Sequence, residues 1–172
     1  MNATQYEAVF NRMKDKLYRY ALRFVKDSDA AEDVVQDVMS KLWQKRDEAD
    51  AIENLEAWLM VLTRNRSLDI LRKVKDNHVS VDEAYTISDQ QPVADKILET
   101  ADLMTLLENC LSQLPEKQRS VFHLREIEQM SYEEIAQVTG YNLDDVKVSL
   151  FRARKHIQRM VTKSTHPGLY QI

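Results

Sequence analysis

Two glycines and three prolines are all that 172 residues offer for tight turns, so a chain of β-hairpins is excluded and an all-α protein is the expected fold class. A single cysteine, Cys110, rules out an internal disulfide and a thiolate zinc cluster. It sits at helical spacing among Leu103, Leu106, Leu107, Leu111 and Leu114, and reads as a small core residue. No apolar run approaches the ~18 residues of a membrane span, and the opening MNATQYEAVFNRMK lacks an apolar signal core. We therefore expect a soluble, cytoplasmic protein with no membrane insertion. The four histidines, His78, His123, His156 and His166, lack metal-ligand spacing, and there is no glycine loop to cradle phosphate. Catalysis, a metal, a cofactor and a small-molecule substrate thus find no support.

What is abundant is charge, unevenly placed. The net charge of −4 argues against nucleic acid until it is divided by segment. Residues 27–56 hold ten acids against three bases, and residues 76–102 hold seven acids against Lys96 alone. Residues 61–75 reverse the balance, with Arg64, Arg66, Arg72, Lys73 and Lys75 against Asp69. From Lys147 to Lys163 there are six bases (147, 152, 154, 155, 159 and 163) and no acid. Two basic surfaces on either side of an acidic connector imply two nucleic-acid contacts on two modules, with the acidic surfaces left for a protein partner.

The periodicity supplies the modules. Helices are expected over 4–26, 28–46 and 54–75, forming a first module of residues 1–75. The first carries Tyr6, Val9, Phe10, Met13, Leu17, Tyr20, Ala21 and Phe24 on one side. The second, with Ser28 or Asp29 as N-cap, buries Ala31, Val34, Val35, Val38, Met39 and Leu42. Asp33, Gln36, Asp37, Ser40 and Gln44 then fall on its opposite side. In the third, Asn65, Arg66 and Asp69 continue the stripe of Leu55, Trp58 and Leu62, which encloses them in part or turns them to a ligand. An Asn65/Asp69 pair with Arg72 one turn on suits DNA bases and phosphates; an Arg66–Asp69 ion pair at the module's edge is the alternative.

Between Lys73 and Ala94 the periodicity fades and Ser, Asp, Asn and Gln accumulate, so residues 76–92 are read as a flexible acidic linker. A second module, residues 93–163, begins with a helix to Leu114, restarts with Pro115 as the first residue of a helix to Gln129, and ends in a helix-turn-helix. Residues 164–172 form a tail without pattern. Ser131 and Glu134 have capping-box spacing, Gly140 ends that helix, and Asn142 caps the next. Val146, Leu150, Ala153 and Ile157 form its buried stripe, leaving Asp144, Val148, Phe151, Arg152, Lys155 and Arg159 outward. Val148 and Phe151 there can meet thymine methyls in a major groove, or pack against the rim of the preceding helix.

Two stretches on either side of the linker resemble the bacterial RNA polymerase sigma factors, specifically the small two-domain extracytoplasmic-function group. AAEDVVQDVMSKLW (30–43) resembles the family's polymerase-binding helix, in which an acid, a glutamine and an acid face the clamp; here these are Asp33, Gln36 and Asp37. EAWLMVLTRNRSLDILRK (56–73) is similar to the helix that engages the minus-ten element, matching at Ala57, Trp58, Leu59, Arg64, Asn65, Asp69 and Arg72. The stretch from Leu111 to Ile157 resembles the domain that reads the minus-thirty-five element. Val146-Lys147-Val148-Ser149-Leu150 departs from the family's V-K-S-R-L by losing an arginine, so no preferred sequence is carried over.

The resemblance implies a sigma factor that directs core RNA polymerase to promoter DNA and assists melting. It assigns Asp33, Gln36 and Asp37 to polymerase, and Arg64, Asn65, Asp69, Arg72 and Lys73 to the minus-ten element. Asp144, Lys147, Val148, Phe151, Arg152 and Lys155 are assigned to the minus-thirty-five element. A loop at Asp47–Asn54 would capture a flipped base, Trp58 would stack on DNA or sit in the core, and an anti-sigma factor is an implied partner. The competing reading is a helix-turn-helix regulator that does not join polymerase; a helical interaction protein is a third. The regulator leaves the Asp33/Gln36/Asp37 face and the basic third helix without a purpose.

Overall fold

In a computed structural model of the chain, the structure describes residues 1–77 and 107–165; the expected acidic linker from residue 78 on, the helix start at 93 and the tail from 166 lie outside them. Every regular element in the described residues is helical. The chain divides into two compact units, Met1–Glu83 and Ala84–Ile172.

The first unit opens on a reciprocal cap. Asn2 Oδ1 accepts from Gln5 N–H at 2.9 Å and Gln5 Oε1 accepts from Asn2 N–H at 2.8 Å, satisfying two orphan donors of α1 (Ala3–Val25). Lys26, at φ 55°, is left-handed and ends α1. Asp27, rather than Ser28 or Asp29, is therefore the residue in extended geometry that caps α2 (Ser28–Gln44), its Oδ1 accepting from Ala30 N–H at 2.8 Å. A 3-10 turn at Ala49–Ala51 leads to α3 (Leu55–Asn77), capped by Asn54 Oδ1 on Ala57 N–H at 2.9 Å. The three helices pack pairwise on one another.

Their core follows the expected stripes in α1 and α2 and departs from them in α3. All six expected α2 positions are buried, as are Met13, Leu17, Tyr20 and Ala21 of α1. Burying an aliphatic side chain of this size contributes about 1.5–3 kcal/mol, and these contacts dominate the unit. In α3 the buried set is Ala57, Leu59, Met60, Thr63 and Ser67. Leu55, Trp58 and Leu62 are only half-buried. Thr63 Oγ1 donates to Leu59 O at 2.9 Å and Ser67 Oγ to Thr63 O at 2.8 Å, so both hydroxyls are satisfied within the helix. Two small polar residues thus share the inward face with Ala57, Leu59 and Met60, and this face is rotated about the helix axis from the expected stripe.

In the second unit the described part begins with α4 (residues 107–112), on which Cys110 is buried. Pro115 precedes α5 (Glu116–Phe122) as its N-cap. At His123–Ile127 the helix widens to a π turn, closed by Glu128 N–H to His123 O at 3.1 Å. Gln129, at φ 59°, terminates it, with Met130 N–H reaching back to Leu124 O at 3.0 Å. The wider turn shifts the register, so Val121 and Leu124 are buried while Ile127 is exposed. Then come α6 (Tyr132–Thr139) and α7 (Leu143–Thr165), which packs on both α5 and α6.

Candidate nucleic-acid interface and docking face

The turn between α6 and α7 forms as its residues dictate. Ser131 Oγ accepts from Glu134 N–H at 3.1 Å, and Glu134 Oε2 accepts from Ser131 N–H at 2.7 Å. Gly140 takes φ 75°, a left-handed geometry that costs any other residue more, and Asn142 Oδ1 accepts from Asp145 N–H at 2.8 Å. α7 then buries Val146, Ser149, Leu150 and Ala153. Asp144, Lys147, Val148, Phe151, Arg152, Lys155 and Arg159 are all exposed.

Phe151 is 65% exposed and Val148 46%, so neither packs under the rim of α6. Lys155 Nζ lies 5.8 Å from the centroid of the Phe151 ring. Val148 and Phe151 are an exposed apolar pair on the same helix as the exposed Lys147, Arg152 and Lys155. Arg154, counted with the basic residues in the sequence, turns the other way and holds Glu126 of the π turn, with Nε at 2.9 Å and Nη2 at 2.5 Å from Oε1. Lys117 Nζ lies 2.8 Å from Asp145 Oδ2 and 4.8 Å from the Tyr141 ring, which ties α5 to the start of α7.

On α3 the structure brings Asn65, Asp69 and Arg72 together on one outward face, within about 60° of one another. Asp69 Oδ1 accepts from Arg72 Nη1 at 2.8 Å, orienting the guanidinium. Lys73 is exposed on the neighbouring turn. Arg64 is half-buried and lies about 100° from Asn65, off this face. The expected Arg66–Asp69 alternative does not form: Asp69 pairs with Arg72, and Arg66 Nε reaches across to Asp37 Oδ2 on α2 at 2.6 Å. The Asp47–Asn54 segment is held by the 3-10 turn and by Ala49, which is buried.

On α2, Asp33, Gln36 and Asp37 are exposed, opposite the buried stripe. The sequence reading left Trp43 off this face. Trp43 lies two turns from Gln36 on the same side and is 40% exposed. Its ring is held edge-on by Tyr6 at 5.1 Å and covered by the Arg46 guanidinium at 4.9 Å. The Tyr6 hydroxyl donates to Met39 O at 3.2 Å, and burial raises its pKa above the ordinary tyrosine value. The i, i+4, i+7 spacing of Gln36, Ser40 and Trp43 was the available signal.

Among the described residues no group of three or more His, Cys, Asp or Glu could hold a metal, and no helix is long and apolar enough to cross a membrane. The His123 Nε2–Glu128 Oε1 contact of 3.2 Å braces the π turn.

Two helical units, one with an acid-and-glutamine face beside a basic helix and one with a helix-turn-helix, give the chain a bipartite architecture. Residues 9–76 match the family Sigma-70 region 2, and residues 104–157 match Sigma-70, region 4. The chain is 31% identical over 150 residues to RNA polymerase sigma factor SigV of Bacillus subtilis, covering 87% of each. It is 30% identical over 149 residues to ECF RNA polymerase sigma factor SigL of Mycobacterium tuberculosis, covering 85% of this chain and 82% of that one. Among solved structures, the sigma factor RpoE in complex with the anti-sigma factor NepR from Bartonella quintana superposes with a TM-score of 0.70 at 27% identity, over 93% of this chain and 98% of that one. CnrH in complex with the cytosolic domain of CnrY, at 24% identity and TM-score 0.66, shares the fold over 94% of this chain and 90% of that one. The chain belongs to the extracytoplasmic-function (ECF) group of RNA polymerase sigma factors, within the sigma-70 family. Sigma factors are regulatory rather than catalytic proteins.

Proposed function

We propose that this sigma factor docks on core RNA polymerase through the outward face of α2, with Asp33, Gln36 and Asp37 as its polar contacts and Trp43 as its apolar anchor. The observation that carries this reading is that those side chains are exposed on a helix whose other side is wholly buried, so folding does not account for them. A rigidly held tryptophan among polar contacts is a frequent centre of binding energy. The competing regulator that never meets polymerase has no use for this face and is not favoured.

Promoter contact is then divided between the units. Asn65, Asp69, Arg72 and Lys73 on α3 lie along the minus-ten strand, with Arg64 at the edge of that surface, while the loop at residues 47–54 receives an unstacked base. Unstacking costs a few kcal/mol, which the pocket and backbone charges must offset. On α7, Lys147, Arg152 and Lys155 bind phosphates around Val148 and Phe151, which meet base edges of the minus-thirty-five element, and Asp144 limits which bases are accepted at the helix start. The chain acts in the cytoplasm and has no catalytic activity of its own. An anti-sigma factor, the kind of partner bound to the RpoE of Bartonella quintana, silences it by covering these faces.

The deciding experiment measures affinity for core polymerase together with thermal unfolding for Asp33→Ala combined with Asp37→Ala. Weakened binding with unchanged unfolding is expected. Unchanged affinity removes the assignment of this face.

A further inference from the structure

We propose that Arg66 is a positioning residue for polymerase docking: it holds the Asp37 carboxylate in the orientation in which the docking face presents it. The inference rests on the reading that α2 meets polymerase, and goes beyond it by assigning a residue of α3 to that interface. Arg66 Nε lies 2.6 Å from Asp37 Oδ2, across two helices and 29 residues of sequence. The side chains of Arg66 and Asp37 are 34% and 49% exposed, so the pair sits at the rim and not in the core.

A carboxylate accepts at about four lone-pair positions, and one donor does not saturate it. Arg66 uses only Nε toward Oδ2, and Oδ1 forms no hydrogen bond with any described residue. Asp37 therefore keeps an acceptor for a partner's cation while one of its oxygens is fixed. Asp33, on the same face, has no ion pair with a described residue and remains free to change rotamer. Fixing a rotamer before binding lowers the entropy lost on docking. The opposing effect, partial neutralisation of Asp37 by the guanidinium, is weakened by solvent at this exposure. Orientation therefore outweighs neutralisation, and losing Arg66 weakens docking.

The test is a double-mutant cycle in the full chain, read as affinity for core polymerase, with Asp37→Ala, Arg66→Ala and the double variant, each accompanied by thermal unfolding. Asp37→Ala alone should weaken binding. Arg66→Ala should weaken it about threefold to fivefold. The double variant should bind no worse than Asp37→Ala, because Arg66 acts only through that carboxylate. Arg66→Met keeps the apolar stem without the charge and should bind as poorly as Arg66→Ala; restoration of full affinity by Met would mean that Arg66 merely packs, and would overturn the proposal. Tighter binding by Arg66→Ala, or additive losses in the double variant, would overturn it as well. An Asp37→Ala variant with unchanged affinity would sink the docking reading itself, and this proposal with it.

Discussion

α3 and α7 are each 23 residues long and each turns basic side chains outward, yet they hold those charges differently. On α3, Arg66 and Arg72 are engaged by Asp37 and Asp69, while Arg64 and Lys73 make no ion pair with any described residue. On α7, Lys147, Arg152 and Arg159 make no ion pair with any described residue, and the one engaged arginine, Arg154, points back into the unit. Paired guanidinium groups have a fixed direction and a reduced net field; unpaired ones have the full field and little fixed geometry. On the promoter contacts proposed above, the paired Arg72 suits a strand that must be placed, and the unpaired charges of α7 suit a duplex that must be attracted. The packing differs in parallel, since α7 rests on Val146, Leu150 and Ala153, whereas α3 packs through Ala57, Met60, Thr63 and Ser67.

The largest effect should come from the α7 stripe. Leu150→Ala removes a side chain that is 1% exposed and should destabilise the second unit by about 2–5 kcal/mol, read by thermal unfolding. Helical signal from the α1–α3 unit should survive the lower transition. A single transition in which both units melt earlier would break the comparison, because the two packings would then not be separate. Next come Lys147→Ala and Arg152→Ala. Each should weaken promoter binding and reduce the slope of log K against log salt by about one. An unchanged slope would mean that these unpaired charges face no phosphate.

Asp69→Asn sharpens the contrast from the other side. It releases the Arg72 guanidinium from its fixed direction, and binding to single-stranded minus-ten DNA should fall about twofold. A rise in affinity would instead show that Asp69 acts only by neutralising Arg72. Thr63→Val should have the smallest effect, a change in stability under about 1 kcal/mol, because Leu59 O keeps its backbone partner and the methyl fills the hydroxyl's place. A larger loss, measured by denaturant unfolding, would show that the Thr63 hydroxyl contributes more than its local bond.

The same contrast explains what could be read from residues alone. α2 was legible to the last buried position because six apolar residues mark one side and polar residues mark the other. The turn before α7 was legible because Ser131, Glu134, Gly140 and Asn142 are each a strong local signal. α3 was misread because hydrophobicity places Leu55, Trp58 and Leu62 inside, whereas the close approach of three helices favours Thr63 and Ser67 there. A polar residue that bonds its own helix looks exposed in a sequence and is not. The Arg66–Asp37 pair was out of reach, since nothing local joins positions 29 residues apart, and the nearer Asp69 was the plausible partner. The π turn left no trace because its extra residue changes spacing by only one position.

That extra residue has a consequence for how the chain can vary in length. Between Phe122 and Glu128 the backbone accommodates one residue more than a regular helix would, with Glu128 N–H still bonded to His123 O. A single deletion there has an ordinary α-turn to fall back on, and the segments on either side keep their capping residues. The same deletion inside α7 would swing every later side chain by about 100° and carry the outer face toward the core. A one-residue deletion should therefore be absorbed at the π turn, which serves the second unit as a slip joint upstream of α7.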